Sequence, residues 1–199
     1  MTDLMINIIY EEARKYNGLI KTKKIEELGI PRRKIRHLLD ERILVRESQG
    51  VYLVPDSVTD EYAIIQRRTD KLVYSYGTAL YFHGLSDRVP HYIDVTVPQG
   101  YNVGRLKKSY PRLRFHYVKP ELLNIGATEV TTPQGSNIIA YSPDRCICDL
   151  IKSEKRIDKQ VYIQAIKEFF SSDYKSREIL KMAKTIGVEL EVRRYMEVL

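Results

Sequence analysis

The chain has 199 residues, 43% of them hydrophobic and 30% charged, with 33 Lys and Arg against 26 Asp and Glu for a formal charge of +7. This is globular composition, enough for one large domain or two small ones, and it excludes the disordered, collagenous and coiled-coil classes. No apolar run approaches the roughly 20 residues of a membrane span. Residues 1–10 lack the basic start and small-residue cleavage site of a signal peptide. The only cysteines, Cys146 and Cys148, stand too close in sequence for a comfortable disulfide. A reduced, cytoplasmic protein is expected.

In chain order, Leu4, Ile8, Ile9, Glu12 and Ala13 recur at near-helical spacing and predict a first helix that Gly18 stops. Thr22 is a candidate cap for a second, short helix with Ile25 and Leu28 inward, and Gly29 ends it. Pro31 suits the first turn of a third helix, where its missing N–H costs nothing. There Ile35, Leu38 and Leu39 share a face, and Arg32, Arg33, Arg36 and His37 project elsewhere. Residues 43–46 and 51–54 predict two strands, joined through Glu47, Ser48, Gln49 and Gly50, with Gly50 supplying a positive φ. Helix, short helix, glycine turn, basic helix and hairpin together predict a winged helix-turn-helix over residues 1–55. In that arrangement the third helix enters the DNA major groove and the wing touches backbone or minor groove.

Residues 55–60 are a polar break, and Thr59 or Asp60 can cap the helix that follows through Ala63, Ile64 and Arg67. Residues 75–84 predict another helix, with Ala79, Leu80, Phe82 and His83 inside. Ile93, Val95 and Val97 alternate, as do Leu113, Phe115 and Tyr117, and residues 127–131 and 137–141 flank a hairpin signal at Pro133, Gln134 and Gly135. Ser142 and Pro143 open a helix carrying Ile147, Leu150 and Ile151. Three further apolar stripes follow: Tyr162, Ile166 and Phe169; Ile179, Met182, Ala183 and Ile186; and Val188, Val192, Tyr195, Met196 and Leu199. The fold class expected is therefore α+β. Residues 56–199 form a small, mainly antiparallel sheet domain ending in a helical bundle.

The charge is concentrated. Residues 14–36 hold nine Lys and Arg against Glu26 and Glu27, a balance of +7. Residues 95–119 hold Arg105, Lys107, Lys108, Arg112, Arg114 and Lys119 with no acid. Two basic blocks on a basic chain point to a polyanionic partner, and double-stranded DNA fits the winged helix. The DNA-binding residues expected are Thr22, Lys23, Lys24, Arg32, Arg33, Lys34, Arg36, His37, Arg46 and Gln49. Arg105, Lys107 and Lys108, in a polar loop, form a secondary basic surface suited to phosphates.

Catalytic constellations are weak. The sequence has no G-x-S-x-G, P-loop or Rossmann glycine pattern. His83, His91 and Asp94 have poor metal-ligand spacing, and Cys146 and Cys148 diverge on a helix and read as small buried groups. No enzyme activity, metal or cofactor is expected.

Several stretches resemble the AbiEi antitoxins of bacterial abortive-infection, type IV toxin–antitoxin systems. Residues 18–54 are similar to that family's winged helix, with Gly50-Val51-Tyr52 ending the wing. Ala79-Leu80-Tyr81-Phe82-His83-Gly84-Leu85-Ser86, followed by Pro90 and Val95-Thr96-Val97-Pro98, is the most specific stretch. Residues 141–151 are similar to the segment before the terminal helices, and Ile157-Asp158, Ala165-Ile166-Lys167 and Leu180-Lys181-Met182-Ala183-Lys184 continue the resemblance. The resemblance implies a phage-defence role with two jobs. One is autoregulation, repressing the chain's own operon at promoter inverted repeats. The other is neutralising an AbiEii-type, nucleotidyltransferase-like toxin through the C-terminal domain, with no stable complex required. Two rivals remain. One is a ligand-responsive winged-helix regulator, whose α+β domain would hold a compact pocket with convergent polar groups. The other is a nucleic-acid-processing enzyme built around Asp94, Asp144 or Asp149.

Overall fold

Apolar residues spaced along the first fifty positions close into one small core. In the computed structural model, which describes residues 3–57 and 60–198, these positions form α1 (Asp3–Arg14), β1 (Leu19–Lys21), α2 (Thr22–Glu27), α3 (Ile35–Asp40), β2 (Val45–Ser48) and β3 (Val51–Leu53). Ile9, Ala13, Ile20, Ile25, Ile30, Ile35, Leu38, Leu44 and Tyr52 are buried together, whereas Leu4 and Ile8 stay exposed. The strands order as β1-β3-β2, antiparallel throughout. This is a winged helix with three strands, one more than the sequence pattern announces.

The turn between α2 and α3 follows from local chemistry. Gly29 adopts φ +80°, the Gly29 N–H donates to the Glu26 carbonyl, and the Ile30 N–H donates to the Ile25 carbonyl at 3.2 Å. This is the Schellman closure, and Ile30 and Ile25 make its apolar contact in the core. Pro31 does not enter α3. It precedes a 3-10 turn, Arg32–Lys34, that leads into the helix. Nor is Thr22 a cap. Lys21 holds that position as the end of β1, and Thr22 instead donates its N–H to the Gly50 carbonyl at 3.0 Å and its hydroxyl to the same oxygen at 3.4 Å.

The chain divides into two compact units, Met1–Asp70 with Thr131–Ile138, and Lys71–Val130 with Ile139–Leu199. The first unit thus adds to the winged helix α4 (Glu61–Gln66) and the short segment 131–138. Buried Asp60 caps α4, accepting from the N–H groups of Tyr62 and Ala63, and its other oxygen accepts the Thr132 hydroxyl. Thr59, the alternative cap, lies outside the described residues. Asn17 donates to the Gln134 carbonyl at 2.7 Å.

The second unit contains β4 (Val73–Tyr74), α5 (Tyr76–Phe82), β5 (Ile93–Pro98), α6 (Gly104–Ser109), β6 (Leu113–Val118), β7 (Ala127–Thr131) and β8 (Asn137–Tyr141). It continues with α7 (Pro143–Lys152), α8 (Lys159–Phe170), α9 (Ser176–Ile186) and α10 (Glu189–Val198). The sheet order is β6-β5-β4-β8-β7. It is mixed: β4 and β5 run antiparallel, while β5 with β6 and β4 with β8 run parallel. A parallel pair needs a crossover, and α6 lies on the one joining β5 to β6. Arg105, Lys107 and Lys108 therefore sit on a short helix anchored by buried Leu106, not in a loop.

β5 is buried from Ile93 to Val97 on both faces, so Asp94 and Thr96 lie inside with the apolar residues. Ser142 caps α7 through the Arg145 N–H, with Pro143 in the first turn as its sequence predicts. The stripes of α8, α9 and α10 close through Tyr162, Phe169, Ile179, Ala183 and Val192. The Tyr162 and Tyr195 hydroxyls meet at 2.8 Å. Leu199 lies outside the described residues.

Candidate nucleic-acid interface

Burial of Ile35 and Leu38 fixes how α3 sits on the core, and this turns Arg32, Arg33, Lys34, Arg36 and His37 to solvent. None of Arg32, Arg33, Lys34 and Arg36 has a carboxylate partner among the described residues. Their charges are therefore uncompensated, and Arg33 with Arg36 and His37 makes an i, i+3, i+4 row.

The α2 cations differ. Lys23 stands 4.0 Å from Glu27, and Lys24 stands 3.5 Å from both Glu12 and Glu27. The Glu12 carboxylate holds the Lys24 ammonium above its ordinary range, and hydrogen bonding to Lys15 holds Glu12 below its own. An approaching phosphate would have to compete with these acids. Thr22 is committed to Gly50 and serves to tie α2 to the wing turn.

In the wing, Arg46 is exposed on β2 with its guanidinium 6.0 Å from the Tyr52 ring centre, and Gln49 is exposed in the turn. The pairing slips between Arg46 and Ser48, leaving Glu47 as the extra residue of a bulge. Exposed Glu47 is an acid at the wing and works against phosphate contact there.

Sequence reasoning missed Arg68. Its guanidinium donates to the Ser48 hydroxyl and to the Gln49 carbonyl, both at 2.8 Å, and so holds the wing tip from outside the 1–55 segment. Its neighbour Arg67 lies 3.8 Å over the Tyr16 ring, and burial pulls both Arg67 and Lys21 below their ordinary ranges. Adjacent arginines after an apolar helix were the only sequence signal.

Residues 7–55 match the family model described as transcriptional regulator, AbiEi antitoxin. The AbiEi match covers α3 and the wing, where the uncompensated cations lie. The whole fold is similar to the crystal structure of the RV2827C protein from Mycobacterium tuberculosis, with a TM-score of 0.50 and 11% identity over 99% of this chain and 82% of that chain. At that identity the likeness is one of fold. No protein of curated function matches the chain.

Outside the AbiEi segment, Arg105, Lys107 and Lys108 are exposed on α6. Arg114, from the same basic block, is committed to buried Asp94 through two hydrogen bonds of 2.5 and 2.8 Å. The sequence candidates for chemistry are not brought together. His83 Nε2 meets the Tyr141 carbonyl at 2.8 Å, Asp94 is taken by Arg114 and His116, and Asp149 is taken by Arg145. Among the described residues no His, Cys, Asp and Glu group could hold a metal ion. Burial raises the Cys146 thiol well above its ordinary range and pushes Cys148 up to about 12, so neither is a ready thiolate. Among the described residues no helix is long and apolar enough to cross a membrane.

Proposed function

We propose that this chain is a cytoplasmic, non-enzymatic antitoxin and autorepressor. Its winged helix binds inverted repeats in the promoter of its own operon, and its second unit neutralises a nucleotidyltransferase-like toxin. The observation that carries the DNA-binding part is the row of solvent-facing cations from Arg32 to Arg36. A helix of this shape fits a major groove, and arginine pairs with guanine edges or grips phosphate. The family's description as antitoxin and regulator supports the pairing of the two jobs.

The test is a mobility-shift assay on the promoter region with Arg32, Arg33 and Arg36 replaced by Ala. Binding is expected to be lost with an unchanged circular dichroism spectrum, because all three side chains stand clear of the core. Near-normal affinity of the folded variant would remove α3 as the reading helix.

A further inference from the structure

The second unit holds a cavity of about 350 Å³ walled by α5, the loop before β5, β5 itself, β6, α7 and the start of α8. This lies within the range of small-molecule sites, roughly 300–1,000 Å³. Its wall is unusually constrained. Tyr76 has φ +44°, a left-handed conformation that non-glycine residues avoid. It is held there by stacking on the His116 ring at 4.0 Å and by its hydroxyl meeting Ser153 Oγ at 3.2 Å. Next to it, a Cβ on Gly77 would stand 3.2 Å from Asp94 Oδ2, so the backbone approaches the buried carboxylate closely. Strain that the surroundings over-determine in this way gathers at ligand sites.

The electrostatics select an anion. Of the two carboxylates of the cavity, Asp94 is paired with Arg114 and His116, whereas Asp158 accepts only from the backbone N–H groups of Gln160 and Val161 at the start of α8, which leaves two guanidiniums against one carboxylate. Arg88 meets only the uncharged Gln160 amide oxygen at 2.7 Å, and Arg156 has no carboxylate partner among the described residues. The same lining includes apolar Leu150, Ile157 and Val161 and the half-exposed Tyr92 ring, which has the Arg114 guanidinium 5.6 Å from its centre. Two guanidiniums, an aromatic ring and apolar side chains in one lining suit an anion carried on a flat body.

We propose that this cavity binds a nucleoside monophosphate, with the phosphate on Arg88 and Arg156 and the base against Tyr92 and the apolar side chains. The proposal does not depend on DNA binding by the first unit. It gives the α+β domain a small-molecule input, the feature that marks a ligand-responsive regulator.

The test is calorimetric titration of the full chain with AMP, GMP, CMP and UMP, and with adenosine and ribose 5-phosphate as part-ligands. At least one monophosphate is expected to bind with a Kd below about 1 mM. Each part-ligand should bind at least about tenfold more weakly, since each forfeits either charge-assisted hydrogen bonds or apolar burial. Replacing Arg88 and Arg156 together by Ala should cost at least about tenfold, while Arg33→Ala with Arg36→Ala should leave binding unchanged. Should the double variant not fold, Arg156→Gln alone carries the same test, since Arg156 is exposed. Any one of four results overturns the proposal: no monophosphate binding in that range, ribose 5-phosphate or adenosine binding as well as the best nucleotide, loss of binding on changing α3, or full binding without the two cavity arginines.

Discussion

Asp94 and Asp149 are both buried carboxylates, yet their surroundings push them in opposite directions. Burial favours the protonated form of each. At Asp94 the hydrogen bonds from His116 and Arg114 outweigh burial and hold the group below its ordinary range, whereas at Asp149 burial outweighs Arg145 and raises it. For Asp94 the sign follows directly: the stability it supplies is fully present above the unfolded value of about 3.9 and is lost as pH falls through that value toward the lower folded one. Asp94→Asn should therefore flatten the acid limb of a plot of urea midpoint against pH, and an unchanged limb would assign the acid loss elsewhere. Asp149 anchors Arg145, which is 1% exposed, donates to the Leu122 and Ile125 carbonyls and lies 4.2 Å over the Tyr141 ring. Asp149→Ala would leave that guanidinium without its acid and should cost about 3–5 kcal/mol in urea unfolding, with Asp149→Asn costing less because an acceptor oxygen remains.

The helices and the wing were legible in sequence because their signals are local. Gly29 closes α2 through bonds three and five residues back, Gly50 turns the hairpin with φ +77°, and the apolar spacing of Ile35 and Leu38 aims the arginines outward. The parallel pairings were not legible, since a two-residue strand such as β4 finds β5 and β8 only across long sequence separations. α6 reads as loop because Leu106 is its one buried residue. The outward exposure of Arg32 to Arg36 follows from the sequence pattern, whereas the acids beside Lys23 and Lys24, and Arg68 behind the wing, do not. Two tests belong to these elements. Arg68→Ala removes two hydrogen bonds from the wing tip, so promoter affinity should fall about three- to tenfold, and amide exchange at Gln49 and Gly50 should quicken. We propose that the α6 cations add phosphate contacts. Replacing Arg105, Lys107 and Lys108 by Ala should then lower the slope of log affinity against log salt by roughly 0.9 per lost contact. Sequence preference should stay nearly constant, because phosphate contacts position rather than specify. An unchanged slope would exclude α6 from the DNA interface.

For the molecule as a whole, the two proposed jobs should separate along the boundary of the compact units. A fragment beginning at Lys71 is expected to protect cells from the toxin while losing promoter repression. One beginning near Ser57 should be less soluble, because it carries Ile64 and Ile65 of α4, both buried in the whole chain, without the winged helix. A folded, soluble fragment from Lys71 that gives no protection would count against an autonomous antitoxin unit. The segment 131–138 bears on how the chain is made. The first unit is not finished when its first seventy residues leave the ribosome. Asp60 and Asn17 must wait for Thr132 and Gln134, some sixty further positions of synthesis, which at roughly 5–20 residues per second is an interval of seconds. During that interval the nascent first unit lacks its last piece, so translation itself sets the earliest moment at which that unit is complete.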